Sequence, residues 1–509
     1  MTSSGRTSLV STFIDRLCVR LVRLVRRGCL AAIAATPLVA IPFAPARAIE
    51  RPRSTAARSV SVGLIAGVPL TRIVAPTSFF TALAAVRANV PSFSRQTGLP
   101  CSSCHYQFPQ LTPFGRMFKL NGYTLTGLPT IGQPGDSAGR ESLKLLAVPG
   151  IAAMLVSSVT QTRTALPGTQ NGTAELPQQF SLFAAGAVTP KIGVFTQFTY
   201  AARDGAFGID NIDIRYADHA TVADRQLIYG LTLHNNPTVQ DVWNTVPAWA
   251  FPFMSSASAP SPIASTLIDG GLGQQVVGLG AYSLYDNLLY TEFTAYRAGP
   301  QGFATPLDST ATNVTAGVIP YWRVALQHET PSTSLMLGTF GFDAYLYPVG
   351  ISGLRNHYRD VAVDAQVEQR QGAATWVGRA SFIHERQQLV ATQNAAGADN
   401  VEQTLSTARA SVAYLPDLRH SLTLGYFQTT GSTDQTLYAP VTLVGSRTGR
   451  PNTTGLIGEL TYNAWQNARV GLQYVGYNKF NGASTAYDIA GGRSASDNNS
   501  LYLYLWGAF

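Results

Sequence analysis

The chain is 509 residues long, 45% hydrophobic, 10% aromatic and only 13% charged, with 46 Gly and 29 Pro. Soluble domains carry about 25% charged residues, so a disordered chain and a coiled coil are excluded and an ordinary charged cytosolic enzyme fits poorly. The net charge of +8 suggests a nucleic-acid surface, but residues 1 to 48 hold seven Arg (Arg6, Arg16, Arg20, Arg23, Arg26, Arg27, Arg47) against one Asp, Asp15; their +6 leaves +2 for the rest, and nucleic-acid binding loses its main support.

The leader has the pattern of an export signal: an Arg-rich stretch from Arg16 to Arg27, an uncharged stretch from Gly28 to Ala46, and a small-x-small site at Ala46, Arg47 and Ala48. A second apolar stretch from Val60 to Val86 ends in a competing site at Ala82, Leu83 and Ala84, so cleavage is expected near 48 or as late as 88.

Of the four cysteines, Cys18 and Cys29 lie in the leader, which leaves Cys101 and Cys104 in the run Cys101-Ser102-Ser103-Cys104-His105. C-x-x-C-H is the attachment motif of a c-type haem. Two thiols a helical turn apart add to the two vinyl groups, and the adjacent His105 becomes the proximal ligand of the iron. A thioredoxin-like pair needs a βαβ context, a zinc site needs a second ligand pair, and a disulfide at this spacing is strained. One covalently bound haem c is therefore expected. Met117, twelve residues after His105, is the preferred distal ligand; Lys119, His219, His234, His328, His357, His384 and His420 are lesser candidates.

From about residue 141 the texture changes to short runs rich in Val, Leu, Tyr, Phe and Thr between Gly, Pro, Asn, Asp and Ser. Sixteen strands are predicted: near 143–157, 179–188, 191–200, 209–217, 226–234, 275–285, 287–297, 316–327, 334–346, 359–369, 374–384, 403–415, 421–429, 454–463, 468–477 and 500–509. Val361, Val363, Ala365 and Val367 alternate with Ala362, Asp364, Gln366 and Glu368, and Ile212, Ile214 and Tyr216 with Asn211, Asp213 and Arg215. Short connections alternate with mostly long ones, strands 4 and 5 being slightly further apart than the other short pairs, and the last run closes on a terminal aromatic, Phe509. A soluble sandwich would also alternate, but these two features point to an outer-membrane barrel. Asp213, Arg215, Asp364, Glu368, Arg409 and Glu459 are expected in its lumen.

The segment Pro91-Ser92-Phe93-Ser94-Arg95-Gln96-Thr97-Gly98, with Cys101 to His105, Phe108-Pro109-Gln110-Leu111-Thr112-Pro113-Phe114-Gly115-Arg116 and Phe118-Lys119-Leu120-Asn121-Gly122-Tyr123, resembles the fused monohaem cytochrome-porins of iron-oxidising bacteria. So does Asn235 to Asn244. The chain is thus expected to open with a signal peptide over 1–48, and the resemblance implies a mainly β protein after it: a short α-helical c-type haem segment, here 89–140, joined to a transmembrane antiparallel β-barrel of about sixteen strands, here 141–509. It implies an iron oxidoreductase of the outer membrane that oxidises extracellular Fe(II) and passes electrons to a periplasmic cytochrome or copper protein.

A barrel's apolar band is about 25 Å tall, so the haem segment is expected to plug the lumen rather than sit outside one rim. The loop from Asn235 to Gln274, with Asp241, Trp243 and Asp269, is the preferred place for Fe(II) to dock, or else a lid that narrows the lumen. The alternatives are a conduit for another donor and a solute porin with a bound haem.

Overall fold

A strand that is apolar on one face and polar on the other can cross a membrane only in a sheet that closes on itself, because lipid satisfies no backbone group. The computed structural model describes residues 91–125, 130–132, 144–146, 150–202, 205–299, 306–489 and 492–509; the leader with its cleavage sites, and the boundary expected at 140, lie outside them. The sheet closes as sixteen antiparallel strands. They are β1 Ile151–Thr162, β2 Thr173–Ala187, β3 Ile192–Ala201, β4 Ala206–Val222, β5 Arg225–His234, β6 Val276–Tyr285, β7 Leu289–Ala298, a two-part β8 (Thr312–Thr315 and Ile319–Glu329), β9 Thr333–Val349, β10 Asn356–Gln371, β11 Ala374–Gln388, β12 Glu402–Leu415, β13 His420–Gly431, β14 Thr453–Trp465, β15 Ala468–Lys479 and β16 Ser500–Ala508. Both parts of β8 pair with β9 and so count as one strand. β16 pairs with β1, and Phe509 extends that seam by exchanging both backbone hydrogen bonds with Ala153, at 2.6 and 2.9 Å.

Each predicted run corresponds to one strand, with shifted ends. The first begins at Ile151 rather than 143, because Lys144–Leu146 pairs instead with Thr130–Gly132. β4 runs on to Val222, which leaves only Ala223 and Asp224 before β5, fewer than predicted. Both have positive φ, 49° and 60°, the left-handed pair whose twist matches a two-residue hairpin. Asp286 and Asn287, at 53° and 50°, also have positive φ and open the three-residue turn between β6 and β7.

The connections 188–191, 223–224, 286–288, 330–332, 372–373, 416–419 and 466–467 line one rim. The other carries 163–172, 235–275, 299–311, 389–401, 432–452 and 480–499 along with two shorter links. Short turns mark the periplasmic side and long loops the outside. The lateral surface is apolar and exposed: Val361, Val363, Leu501, Leu503 and Leu505 face outward, while Asp364, Gln366, Glu368, Tyr502 and Tyr504 are buried toward the lumen. This inversion of the soluble pattern, on a closed antiparallel barrel, is that of an outer-membrane protein, and the chain resides in that membrane. Val363→Lys should therefore cost about 2 to 4 kcal/mol if the site lies at the midplane, read as a lowered folding midpoint in lipid bilayers. Gln366 is not the neutral lumen position its polarity suggests, since its amide donates to Glu368.

Candidate functional site

The lumen holds two insertions. The first is the N-terminal segment: α1 Ser92–Thr97, α2 Cys101–Cys104, a small hairpin pairing His105–Gln107 with Gln110–Leu111, and α3 Pro113–Leu120. Thr112 caps α3, its hydroxyl accepting the Gly115 N–H at 3.1 Å, and Pro113 supplies a first-turn residue that has no N–H to satisfy. The same hydroxyl donates to the Ser103 carbonyl at 2.6 Å, and the Cys104 carbonyl accepts the Thr112 N–H at 2.9 Å. One residue thus fixes α3 against the C-x-x-C turn. Gly115 allows the approach, because a Cβ there would lie 2.2 Å from the Cys104 carbonyl oxygen.

Barrel-wall residues hold this segment in place. On α3, Arg116 is buried and pairs with Glu368 of β10 at 2.5 Å, with Ser334 and Glu329 at 2.9 and 3.4 Å. Tyr106 donates to the same Glu368 at 3.0 Å. Tyr123 donates to Asp213 at 2.6 Å, Gln96 accepts the Ala187 N–H at 3.0 Å, and Tyr282 donates to the Leu120 carbonyl at 2.5 Å. The segment plugs the lumen, as the barrel's height leads one to expect.

The second insertion is the loop 235–275. Residues 236–246 are buried; Asp241 accepts the backbone N–H groups of Trp243 and Thr245 at 2.9 and 2.8 Å and lies 3.6 Å from Arg323. Arg323 also pairs with Asp364. Asp269 belongs to a different pairing, with Arg409 at 2.5 Å. The loop is thus an internal strut, and the two aspartates anchor it through separate ion pairs. Among the described residues no group of three or more His, Cys, Asp or Glu side chains is arranged to hold a metal ion.

Between the plug and the wall lies a cavity of about 630 Å³, inside the range of roughly 300 to 1,000 Å³ that cofactor sites occupy. Cys101, Cys104 and His105 line it, faced by Phe108, Phe118, Met154, Phe195, Trp249 and Trp506. Its wall also includes Ala373, Asp417 and Gln466 from three short turns, so it opens toward the periplasmic rim. Phe108 lies beside His105 with ring centres 5.4 Å apart and planes tilted by 52°, stacks on Trp506 at 5.5 Å and meets Trp249 at 5.7 Å. Burial, helped by Arg469 and opposed by the carbonyls of Pro109 and Gln110, pushes the His105 imidazole down to about 4. The ring is therefore neutral at pH 7 and able to give a lone pair. Its Nδ1 is buried without a hydrogen-bond partner. Cys101 and Cys104 are unbonded thiols, and burial pushes Cys104 up to about 11, with Cys101 adding to the rise. Two thiols, a neutral imidazole and apolar aromatic walls fit a haem c.

Met117 does not line this cavity: it packs against the cluster containing Leu120, Val242, Trp243 and Tyr282. The methionine on the cavity wall is Met154 of β1, which sequence reasoning missed; the only signal for it is its place on the lumen-facing alternation of that strand. Lys119 lines the cavity, whereas His219, His234, His328, His357, His384 and His420 do not. His234 is buried elsewhere in the lumen, 2.6 Å from the Tyr296 hydroxyl.

No family model matches the sequence, and no curated protein does. Among solved structures the chain is similar to the trimer form of OmpT, an outer membrane protein of Vibrio cholerae, with 11% identity over 70% of this chain and 98% of that one and a TM-score of 0.39. It is also similar to the Salmonella typhi OmpF complex with daunomycin, with 11% identity over 70% and 97% of the chains and a TM-score of 0.39. For the anion-selective porin of Comamonas acidovorans the figures are 11%, 70%, 98% and 0.38.

Proposed function

We propose that this outer-membrane barrel is a cytochrome that takes electrons from Fe(II) outside the cell and hands them to a periplasmic electron carrier. The observation that carries this reading is the C-x-x-C-H turn, with both thiols and His105 on the wall of one apolar cavity inside a closed barrel. The resemblance of residues 91–123 to the cytochrome-porins supports the choice of donor. The balance is one electron: Fe(II) becomes Fe(III), and the oxidised carrier becomes reduced. Ferric iron precipitates near neutral pH, so it is the electron rather than the iron that has to cross.

Cys101 and Cys104 would hold the haem covalently and His105 would be its proximal ligand. When bound, the group supplies reversible one-electron exchange at a potential set by its axial ligands and surroundings. Phe108, Trp249 and Trp506 give that site an apolar wall, and such surroundings help to set a potential. Arg116 and Tyr123 hold the plug rigid against Glu368 and Asp213. The cavity's place at the short-turn rim puts it within reach of a carrier docking from the periplasm. A wide solute pore fits less well, because the plug and the loop 235–275 occupy the lumen.

The test is donor specificity. Purified, haem-loaded protein should show reduced-haem absorbance on adding Fe(II) and none on adding organic donors. Reduction by an organic donor but not by Fe(II) would move the assignment to a conduit for another donor, and a large single-channel conductance to a porin.

A further inference from the structure

We infer that Arg469 is the seat for a carboxylate of the cofactor, resting on the reading of the cavity as a haem site. Arg469, the second residue of β15, is only 6% exposed and lines the cavity. A buried guanidinium ordinarily has an acidic partner, because an unpaired buried charge is costly. The other lumen arginines obey this rule or are screened another way: Arg116 has Glu368, Arg215 has Asp213, Arg323 has Asp364 and Arg409 has Asp269. Arg379 donates to the carbonyls of Asn244 and Pro252 and lies over the Phe253 ring.

Arg469 makes no ion pair among the described residues. Its Nε donates to Asn463 at 3.0 Å, one terminal nitrogen, Nη1, makes a long 3.4 Å contact with the Phe108 carbonyl, and the group lies 5.4 Å from the Trp506 ring centre. Asn463, Phe108 and Trp506 all line the same cavity. The titratable groups that face it are His105 from the plug, Glu459 from β14 and Tyr504 from β16. Glu459 is engaged by Gln473 at 2.6 Å and Tyr504 at 3.3 Å and does not reach Arg469. A cation held at three points, with its second terminal nitrogen uncommitted on the wall of an apolar cavity, is built for an anion that enters that cavity. A haem brings two propionate carboxylates, and a planar fork suits a carboxylate. Arg469 is thus a positioning residue, and its positive charge beside the ring system disfavours the oxidised, more positive form.

The test is a redox titration of haem-loaded protein carrying Arg469→Gln or Arg469→Lys. The Gln variant should have a lower midpoint potential at pH 8 than the parent, and the Lys variant, which keeps the charge, should recover most of the difference. An unchanged potential in a loaded Gln variant would overturn the proposal. If that variant fails to load haem, redox-difference infrared spectra of the parent protein decide: an ionised propionate at pH 5 is expected, whereas propionates all protonated there contradict the pairing. Absence of covalent haem from the parent protein itself would overturn the haem reading first, and is seen by haem staining before any variant is made.

Discussion

Replacing Cys101 and Cys104 together by Ala should abolish covalent haem while the barrel still closes. Among the described residues the only side-chain hydrogen bond of either thiol is the 3.7 Å contact between Cys101 and Ser94, so the double change removes little that holds the fold. After denaturing electrophoresis the parent protein should keep haem stain at its own band, and the variant should have none. Both should run faster unheated than heated, as a folded barrel does. His105→Ala should leave attachment impaired and the low-spin spectrum lost, because the proximal ligand is gone. Stain retained in the double variant would end the C-x-x-C-H reading.

Arg116→Met should undock the plug. Arg116 and Glu368 are 3% and 2% exposed at the side chain and 2.5 Å apart; removing one partner of such a pair leaves a buried, uncompensated charge and costs about 3 to 5 kcal/mol. Tyr106 and Gln366 would still donate to Glu368, but neither carries a charge. The expected readout is protease sensitivity of the segment around residues 91–123, with the heat-modifiable mobility of the barrel unchanged. Adding Glu368→Leu should restore much of the protection, since two apolar groups replace a broken pair. Equal protease resistance in Arg116→Met and the parent would show that the pair does not hold the plug.

The strands were legible because lipid and lumen impose a period of two that the sequence must carry: Val361, Val363 and Ala365 could not sit anywhere but on one face. The attachment motif was legible because its chemistry is local, five consecutive residues from Cys101 to His105. What the sequence concealed depends on tertiary placement. Asp241 and Asp269 lie in a long connection, and polar residues there look like an external loop; only the fold shows them buried against Arg323 and Arg409. Met117 follows the motif closely enough to suggest a ligand, yet the pitch of α3 turns it toward Trp243 and away from the cavity. Met154 and Arg469 are residues of barrel strands, 49 and 364 positions after His105, and closure of the sheet alone brings them to one cavity. The lumen charges were expected inside, but the partner each one meets is set by the fold: Glu368 meets Arg116 of the plug, Arg409 meets Asp269 of the loop and Asp364 meets Arg323, while Glu459 is held by Gln473 and Tyr504 without an ion pair.

The most direct measurement places haem-loaded protein in liposomes with the short-turn rim inward, traps a one-electron periplasmic-type acceptor in the interior, and adds Fe(II) outside. The expected result is acceptor reduced inside and Fe(III) formed outside in equal amounts, with no iron entering and no transfer in the Cys101→Ala, Cys104→Ala variant. Complete failure of Fe(II) to drive that transfer at any pH from acid to neutral, in folded and loaded protein, would contradict the assignment of Fe(II) as the donor.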